Sequence, residues 1–534
     1  MLARLHFGEH MKKVIILAIN SKYIHSCLAA WVLSAAVKKF CSHTHNVKVI
    51  EANINQTIDE ICRGDHWSPA PDIVAIPTYI WNAKKLPYIL EEIRKKLPNT
   101  KIVLGGPEAE HNANFWLQNG ADAVLNGEGE KTLPAYIVGD AASRIPHPDC
   151  DTQIDPFTDE YLTALTGKIA YIETSRGCPF SCAYCLSGDD PVRFFDIETA
   201  KGQLAKLSKA NVRVIKFVDR TFNCNAARAY ELIEYIMGLN SDKCFHFEVA
   251  ADLFDDATLS LLATAPSGLF QIEAGIQSFF APALSASTRK TNLEKVAKNI
   301  RRLLAAGNIH IHLDLIAGLP NETLTEFENS FNSAFDLAPH KLQLGFLKML
   351  HGSALRKNHP EIIFDAHPPY QIIKSPWMSE ADLNTLYLTE DALQNTQNKS
   401  HFLRTIGYAM GAGGLSPFAF FRRMGESFQK KGMALEAYAE KIFNFCKALD
   451  GVAKDALMEH MIIDWMEMVK GVNMPPFLKI ATKQQHTHAI NQAETALNRK
   501  IRRNEAAILP SGQHIFVDAQ TRHPITKLYK TTLS

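Results

Sequence analysis

Charge of one sign is what this chain most conspicuously lacks. Its 534 residues carry 57 Lys and Arg against 56 Asp and Glu, a formal net charge of +1. No overall field therefore draws in nucleic acid or an anionic membrane, and neither is expected as a partner. Long apolar runs are missing as well. The apolar residues 14–18 follow Lys12 and Lys13 and are broken at once by Asn20, Ser21 and Lys22. That run is too short for the core of a signal peptide and reads as a buried parallel strand. No uninterrupted apolar stretch is long enough to span a bilayer, which points to a cytoplasmic protein. The third absence is a disulfide framework: the 10 cysteines follow no repeating spacing, as expected in a reducing compartment. Residues 1–10 carry no pattern and read as an extension from an alternative start.

What is present is enough hydrophobic material, 46% of 534 residues, to fill more than one core. The most informative stretch is one loop, Gly177-Cys-Pro-Phe-Ser-Cys-Ala-Tyr-Cys185. It sets Cys178, Cys182 and Cys185 at Cys-x3-Cys-x2-Cys spacing. Three thiols so close cannot pair among themselves without leaving one over, and they suit a soft-metal site better. A zinc loop is one reading. An iron–sulfur cube is the other: it normally takes four cysteines, so three leave one iron with an open position.

On the N-terminal side, short apolar runs at 14–18, 47–51, 73–76, 102–104 and 123–125 alternate with helical periods at 27–40, 84–97 and 112–119. Continuous apolar strands between helices predict a parallel sheet covered on both faces. Ligands on such sheets bind beyond the carboxyl ends of the strands. The loops there are Asn20-Ser-Lys-Tyr-Ile-His25, Pro77-Thr-Tyr-Ile-Trp-Asn82, Gly105-Gly-Pro-Glu108 and Gly127-Glu-Gly-Glu130. Glycines let backbone come close to a bulky ligand. Residues 144–155, with Pro146, Pro148 and Pro156 around them, read as a linker. Beyond it, strands are predicted at 169–174, 212–218, 245–250, 270–275, 309–315 and 342–346. Six βα units without a sign of two more predict a partial barrel, with chemistry at the carboxyl ends of its strands. The cysteine loop follows the first of them.

The three cysteines, with Tyr184 before the last, resemble the signature of radical S-adenosylmethionine (SAM) enzymes. The loops of the first segment, Gly105, Gly106, Pro107 and the 127–130 run above all, resemble the cobalamin-binding domain that precedes the barrel in one large subfamily. The resemblance implies an α/β protein of three parts. These are a Rossmann-like cobalamin-binding domain at 11–143, a partial (βα)6 radical SAM barrel of TIM-like type at 165–352, and a mostly helical extension at 353–534 whose function it does not reveal. It implies a [4Fe-4S] cluster on Cys178, Cys182 and Cys185, whose open iron chelates SAM. It implies SAM contacts from Tyr184, Asp219, Asn223, Glu248, Glu273, Gln277 and Gly318. For cobalamin it implies Asn20, Ser21, Tyr23, Thr78, Gly105, Gly106, Pro107, Gly127, Glu128, Gly129 and Glu130. The chain lacks an Asp-x-His-x-x-Gly motif, so a histidine on the lower face of cobalt is not expected. A flavodoxin- or ferredoxin-like electron donor is the implied partner.

The activity implied is reductive cleavage of SAM to a 5′-deoxyadenosyl radical, followed by methylation of an unactivated carbon of a substrate that the sequence does not identify. Cyclisation, rearrangement and oxidation are alternative outcomes in the same family. Two further readings stand beside these: a radical SAM enzyme whose first domain serves substrate or RNA, and a non-catalytic sensor using cluster and corrin. Taken residue by residue, the barrel positions have plainer readings too. Glu248 and Glu273 suit a structural hydrogen-bond network, Asp219 an ion pair with Arg220, Asn223 a helix cap, and Cys224 a small buried hydrophobe.

Beyond residue 352 helices are expected from 379 to 469, interrupted by a turn at 411–414. Phe418, Phe420 and Phe421 fit a core. Residues 506–528 read as a hairpin about Pro510-Ser-Gly512. The basic run 499–503 suits a solvated helix face. The extension is expected to close over the barrel mouth and shape the substrate pocket.

Overall fold

The computed structural model describes residues 11–139, 154–188, 191–469 and 473–533. Residues 1–10 and all but the last two positions of the expected 144–155 linker lie outside them. The chain forms two compact units, one of Met1–Val249, Ser287–Arg289 and Lys348–Ile372, the other of Ala250–Ala286, Lys290–Leu347 and Ile373–Ser534.

The first unit begins with five parallel strands, β1 (Lys12–Asn20), β2 (His45–Asn53), β3 (Ile73–Pro77), β4 (Lys101–Gly105) and β5 (Ala123–Leu125), in the order β2-β1-β3-β4-β5. Alternation along β1 fills two cores. Ile15, Leu17 and Ile19 join Leu90 and Trp116 on one face, while Val14, Ile16 and Ala18 join Val37 and Leu133 on the other. Burial on both sides is why β1 and β3 read as unbroken apolar runs. Strand order reverses between β1 and β3, and ligands of doubly wound sheets sit at such a switch point. The loops after both strands open there. The unit continues with β6 (Ala170–Ile172), a two-residue ladder of β7 (Ser175–Arg176) with β8 (Arg193–Phe194), then β9 (Val214–Phe217) and β10 (Cys244–Val249). Strands β6, β9 and β10 lie side by side and parallel.

The second unit carries three more parallel strands in succession, β11 (Phe270–Gln277), β12 (His310–Ala317) and β13 (Lys341–Phe346). Six strands thus stand where six were expected. Helices Leu293–Ala306 and Leu324–Phe335 alternate with them. Each starts on a cap, Asn292 accepting from the Lys295 amide and Thr323 forming a reciprocal pair with Glu326. Five long helices follow between Glu380 and Met468. Phe418, Phe420 and Phe421 are fully buried, with Phe418 and Phe421 packed edge-on against Phe331.

One side chain settles how β13 ends the row. The Asn398 amide accepts from the Leu342 N–H at 2.9 Å and donates to the Leu342 carbonyl at 2.8 Å, standing in for a neighbouring strand. The C-terminal tail forms the expected hairpin, Ala506–Ile508 pairing antiparallel with His514–Arg522, and a third antiparallel strand, Tyr529–Leu533, extends its sheet. The basic run is partly neutralised, Arg499 by Glu505 at 3.1 Å and Lys500 by Glu494 at 2.9 Å.

Buried Glu322 makes the second unit sensitive to pH. It is fully enclosed, and although Ser278 and Ser330 donate to Oε1 at 2.5 and 3.1 Å, burial pushes its carboxyl up to about 7. The unfolded chain releases this proton first, so stability is full below about 4.5 and falls as pH rises toward 7. Glu322→Gln is expected to flatten that slope and, at pH 8, to gain up to about 3 kcal/mol by the usual conversion of a pKa difference. Urea unfolding of both proteins at pH 6 and pH 8 measures it.

Candidate active site

The cysteine loop spans the gap between β7 and β8. Gly177 opens it at a φ of +92°, a conformation that favours glycine, one residue before Cys178. No disulfide forms among the described residues: Cys178 and Cys185 are half-buried and Cys182 is buried, all as free thiols. The Cys185 amide donates to the Cys182 carbonyl at 2.9 Å, and the Ser187 amide to Cys185 Sγ at 3.4 Å. Two remote segments of the same unit pin the loop. Ser287 O accepts from the Ala183 N–H at 2.9 Å, Thr288 Oγ1 donates to Ser181 O at 2.9 Å, and the Leu355 amide donates to Ala183 O at 2.7 Å. A tight turn with three half-buried or buried thiols and backbone anchors on both sides fits a soft-metal cluster by its donor set.

Arg289 is the residue that sequence reasoning missed. Its Nη1 donates to Cys182 Sγ at 3.5 Å. Burial works against its charge, but the Tyr184 hydroxyl and Cys182 beside it hold its pKa above the ordinary value. The only hint in the sequence is a polar run, Thr288-Arg-Lys290, after an apolar helix. Thr221 Oγ1 lies 3.6 Å from Cys178 Sγ. Cys224 is near enough to Cys178 and Asp219 to feel their charges, and burial above all raises its thiol pKa.

One of the expected SAM contacts, Asp219, makes structural bonds of its own. Asp219 is buried, and its oxygens accept from the Thr174 amide at 2.7 Å, Thr174 Oγ1 at 2.6 Å and Ser175 Oγ at 2.7 Å. It braces the approach to the cysteine loop and makes no ion pair with Arg220 among the described contacts. Burial still pushes its carboxyl up. Asn223 is buried in a turn, and the helix cap is Asn225, which accepts from the Arg228 amide at 3.0 Å. Glu248 is half-buried on β10.

In the second unit, Glu273 on β11 faces His312 on β12. His312 Nδ1 stands 3.5 Å from Glu273 Oε2, and Nε2 3.0 Å from Asp314 Oδ1. Burial opposes the imidazolium, yet the two carboxylates prevail and raise its pKa, while burial raises that of Asp314. This carboxylate–imidazole–carboxylate row can hold and pass a proton. Its signal in the sequence is the polar alternation 310, 312, 314 in an apolar strand. Gln277 ends β11 at a bulge with φ +74°, and its amide folds over Gly275, where a Cβ would meet it at 2.2 Å. A non-glycine residue held there stores strain, a feature that clusters at ligand sites. Gly318 also has positive φ, +91°.

In the loop after β4, packed on the β3 loop beside the switch point, Gly106 takes a φ of +100°, and a Cβ there would stand 2.8 Å from the Thr78 carbonyl oxygen. The buried Thr78 amide donates to Gly105 O at 2.7 Å, so the loops after β3 and β4 are in contact. Gly105 has room, Pro107 is exposed, and exposed Gly127 has a φ of +77°. Gly129 sits under Leu33, whose Cδ2 is 2.8 Å from where a Cβ would be. Buried Asn20 donates to His25 O at 3.1 Å, shaping the loop that carries half-buried Ser21 and exposed Tyr23. Tyr23 is 75% exposed, and Trp81, stacked on Tyr79 at 4.3 Å, is 41% exposed. Open aromatic rings at strand ends, beside a backbone approach that only glycine permits, suit a broad flat ligand. Trp81 was legible only as part of its loop.

Glu128 and Glu130 do not present free carboxylates to that space. Arg176 Nη1 contacts Glu128 at 2.9 Å and Glu130 at 2.8 Å, Lys131 reaches Glu128 at 2.5 Å, and Arg193 donates to Glu128 as well. Burial alone would raise the Glu128 carboxyl, but Arg193, Lys131 and Arg176 together hold it down at about 2.

Comparisons with known proteins find three family matches along the chain. Residues 14–137 match the B12 binding domain family, 172–334 the Radical SAM superfamily, and 358–515 a family described as a protein of unknown function, DUF4080. The cobalamin-dependent radical SAM methyltransferase TokK of Streptomyces tokunonensis is 25% identical over 317 residues, covering 51% of this chain and 46% of TokK. The chain thus spans about half the length of the curated relatives that it matches first. Two solved structures share the fold. The methyltransferase TsrM from Kitasatospora setae with cobalamin and a [4Fe-4S] cluster superposes with a TM-score of 0.56 at 15% identity, over 71% of this chain and 82% of that one. OxsB with aqua-cobalamin and SAM gives 0.56 at 15% identity, over 85% and 78%.

Proposed function

Because the chain is a radical SAM protein with a B12-binding domain ahead of the barrel, we propose that it is a cobalamin-dependent radical SAM enzyme that methylates an unactivated carbon of its substrate. The observation that carries this reading is the cysteine loop: three unpaired thiols on one turn, anchored from two remote segments, with a half-buried cation on Cys182. When bound, a [4Fe-4S] cluster on Cys178, Cys182 and Cys185 supplies the electron that splits SAM, and cobalamin carries the methyl group. The electron comes from a flavodoxin- or ferredoxin-like donor. That TokK is named a methyltransferase supports methyl transfer as the outcome.

The chain's own residues bind, orient and exclude water. Tyr184, Asp219, Asn223 and Glu248 of the first unit and Glu273, Gln277 and Gly318 of the second are the positions assigned to SAM. Gly105, Gly106 and Pro107 form the close backbone approach to the corrin, flanked by Asn20, Ser21, Tyr23 and Thr78. Gly127 and Gly129 shape the last loop of that cradle. Residues 11–143, 165–352 and 353–534 serve as corrin domain, radical barrel and extension. Tyr387 of the extension stacks at 3.9 Å on Phe346, the last residue of β13, which supports a role for the extension at a strand's carboxyl end.

Anaerobic reconstitution with iron, sulfide and cobalamin tests the proposal. Near four irons and four sulfides per chain are expected, a corrin spectrum that survives gel filtration, and 5′-deoxyadenosine on adding SAM and a strong reductant. Zinc in place of iron, or no 5′-deoxyadenosine, overturns it. Arg289→Met supplies a finer check. Loss of a half-buried cation beside a cluster sulfur disfavours the reduced cluster, so its midpoint is expected to fall by roughly 60 mV, a tenfold change for one electron. Redox titration followed by electron paramagnetic resonance reads this directly.

A further inference from the structure

The stem of the cysteine loop, already braced by Asp219 at Thr174 and Ser175, is also held by a loop of the first domain. Its own ladder is minimal: β7 and β8 pair only Ser175 with Phe194 and Arg176 with Arg193. Two residues a side is too little to fix a loop in water. Yet Arg176 and Arg193, facing each other across the ladder, both bond Glu128 Oε1, and Lys131 occupies Oε2 at 2.5 Å. Glu130 takes Arg176 Nη1 at 2.8 Å, and Glu173 takes the far side of the same guanidinium through two bonds of 2.9 and 2.7 Å. Three cations meet three carboxylates, and the six side chains are only 13–31% exposed. They line a shallow cleft. Fork-shaped guanidinium–carboxylate bonds in such a half-buried setting are directional and much stronger than surface pairs.

The position of Glu128 gives this cluster its meaning. It lies in the Gly127–Glu130 loop at the carboxyl end of β5, where the corrin cradle is assigned, while Arg176 stands two residues before Cys178. We propose that Glu128 is a positioning residue, a clasp that closes both stems of the cysteine loop and sets that loop at a fixed reach from the corrin loop. The inference rests on the proposed function for the identity of the two cofactors; the clasp itself rests on the ion pairs alone. Glu128 touches neither cofactor in this role. Its two oxygens are spent on the stems and on Lys131.

The test compares the protein reconstituted with iron, sulfide and cobalamin with its Glu128→Gln variant, using amide hydrogen exchange over residues 172–195. Glu160→Gln is the control, because it removes an equal charge from a surface pair with Lys38. Exchange in the stems is expected to rise at least tenfold in E128Q and not in E160Q. Adding Arg193→Met to E128Q should then cost less than R193M alone. The resonance of bound cob(II)alamin beside the reduced cluster is expected to change width in E128Q, a signature of altered reach that simple loosening elsewhere does not give. Stem exchange within twofold of the parent, or a rise spread evenly over the first unit, overturns the clasp. Should the parent protein take up neither cluster nor corrin, the proposed function falls, and the exchange comparison on the unloaded protein still decides the clasp.

Discussion

Cys182→Ala is expected to leave a protein that binds cobalamin and holds no functional cluster. Cys182 is the buried member of the three and the one that receives Arg289. With two thiolates left of three, a cube loses a third of its protein ligation and has two irons without a cysteine, so iron content should fall to a small fraction and 5′-deoxyadenosine formation to background. The corrin loops are separate in sequence and do not share the cysteine's contacts, so the corrin spectrum should persist. Iron, sulfide, corrin absorbance and 5′-deoxyadenosine measured on one preparation decide the matter. Reductive SAM cleavage surviving in the variant would show that the ligands are elsewhere.

The converse separation is expected at Gly106. Even alanine is too large there, since its Cβ would press on the Thr78 carbonyl at 2.8 Å and the backbone would keep a φ of +100°. Left-handed strain of ~1–2 kcal/mol and overpacking of ~1–3 kcal/mol are relieved most simply by moving the 105–108 loop off Thr78. Corrin affinity should then drop by roughly a hundredfold, equivalent to about 2.7 kcal/mol. Cluster content and 5′-deoxyadenosine formation should stay close to the parent. Full corrin occupancy in Gly106→Ala, after gel filtration, would remove this loop from the cradle.

Much of the fold was legible because its signals are local. The strands of the first sheet are buried on both faces, so β1 and β3 read as apolar runs whatever their partners. The three cysteines lie on one turn, and spacing alone finds them. What stayed hidden depends on partners far along the chain. Arg289 reaches Cys182 across 107 positions, and no periodicity marks it. Asp464 caps the helix Leu403–Ala412 from another helix, accepting from the Arg404 and Thr405 amides at 3.1 and 2.8 Å, where Phe402 at the cap position offers no oxygen. Glu128 and Glu130 looked like ligand-facing residues because their loop does, and the arginines that claim them follow 46–65 positions later. The last strand, Tyr529–Leu533, is mostly solvent-facing and carries too few apolar residues to announce itself.

The first compact unit borrows two short stretches from much later in the chain, Ser287–Arg289 and Lys348–Ile372. A gene fragment stopping at Val249 would encode all three cysteines and the entire five-stranded sheet. It would nonetheless lack the guanidinium on Cys182, the Leu355 amide on Ala183, and Tyr370, whose hydroxyl donates to buried Glu108 beside the Gly-Gly-Pro turn. Splitting this protein into separately expressed halves would therefore sever the cluster loop from its own supports, and complementation between such halves would have to rebuild them.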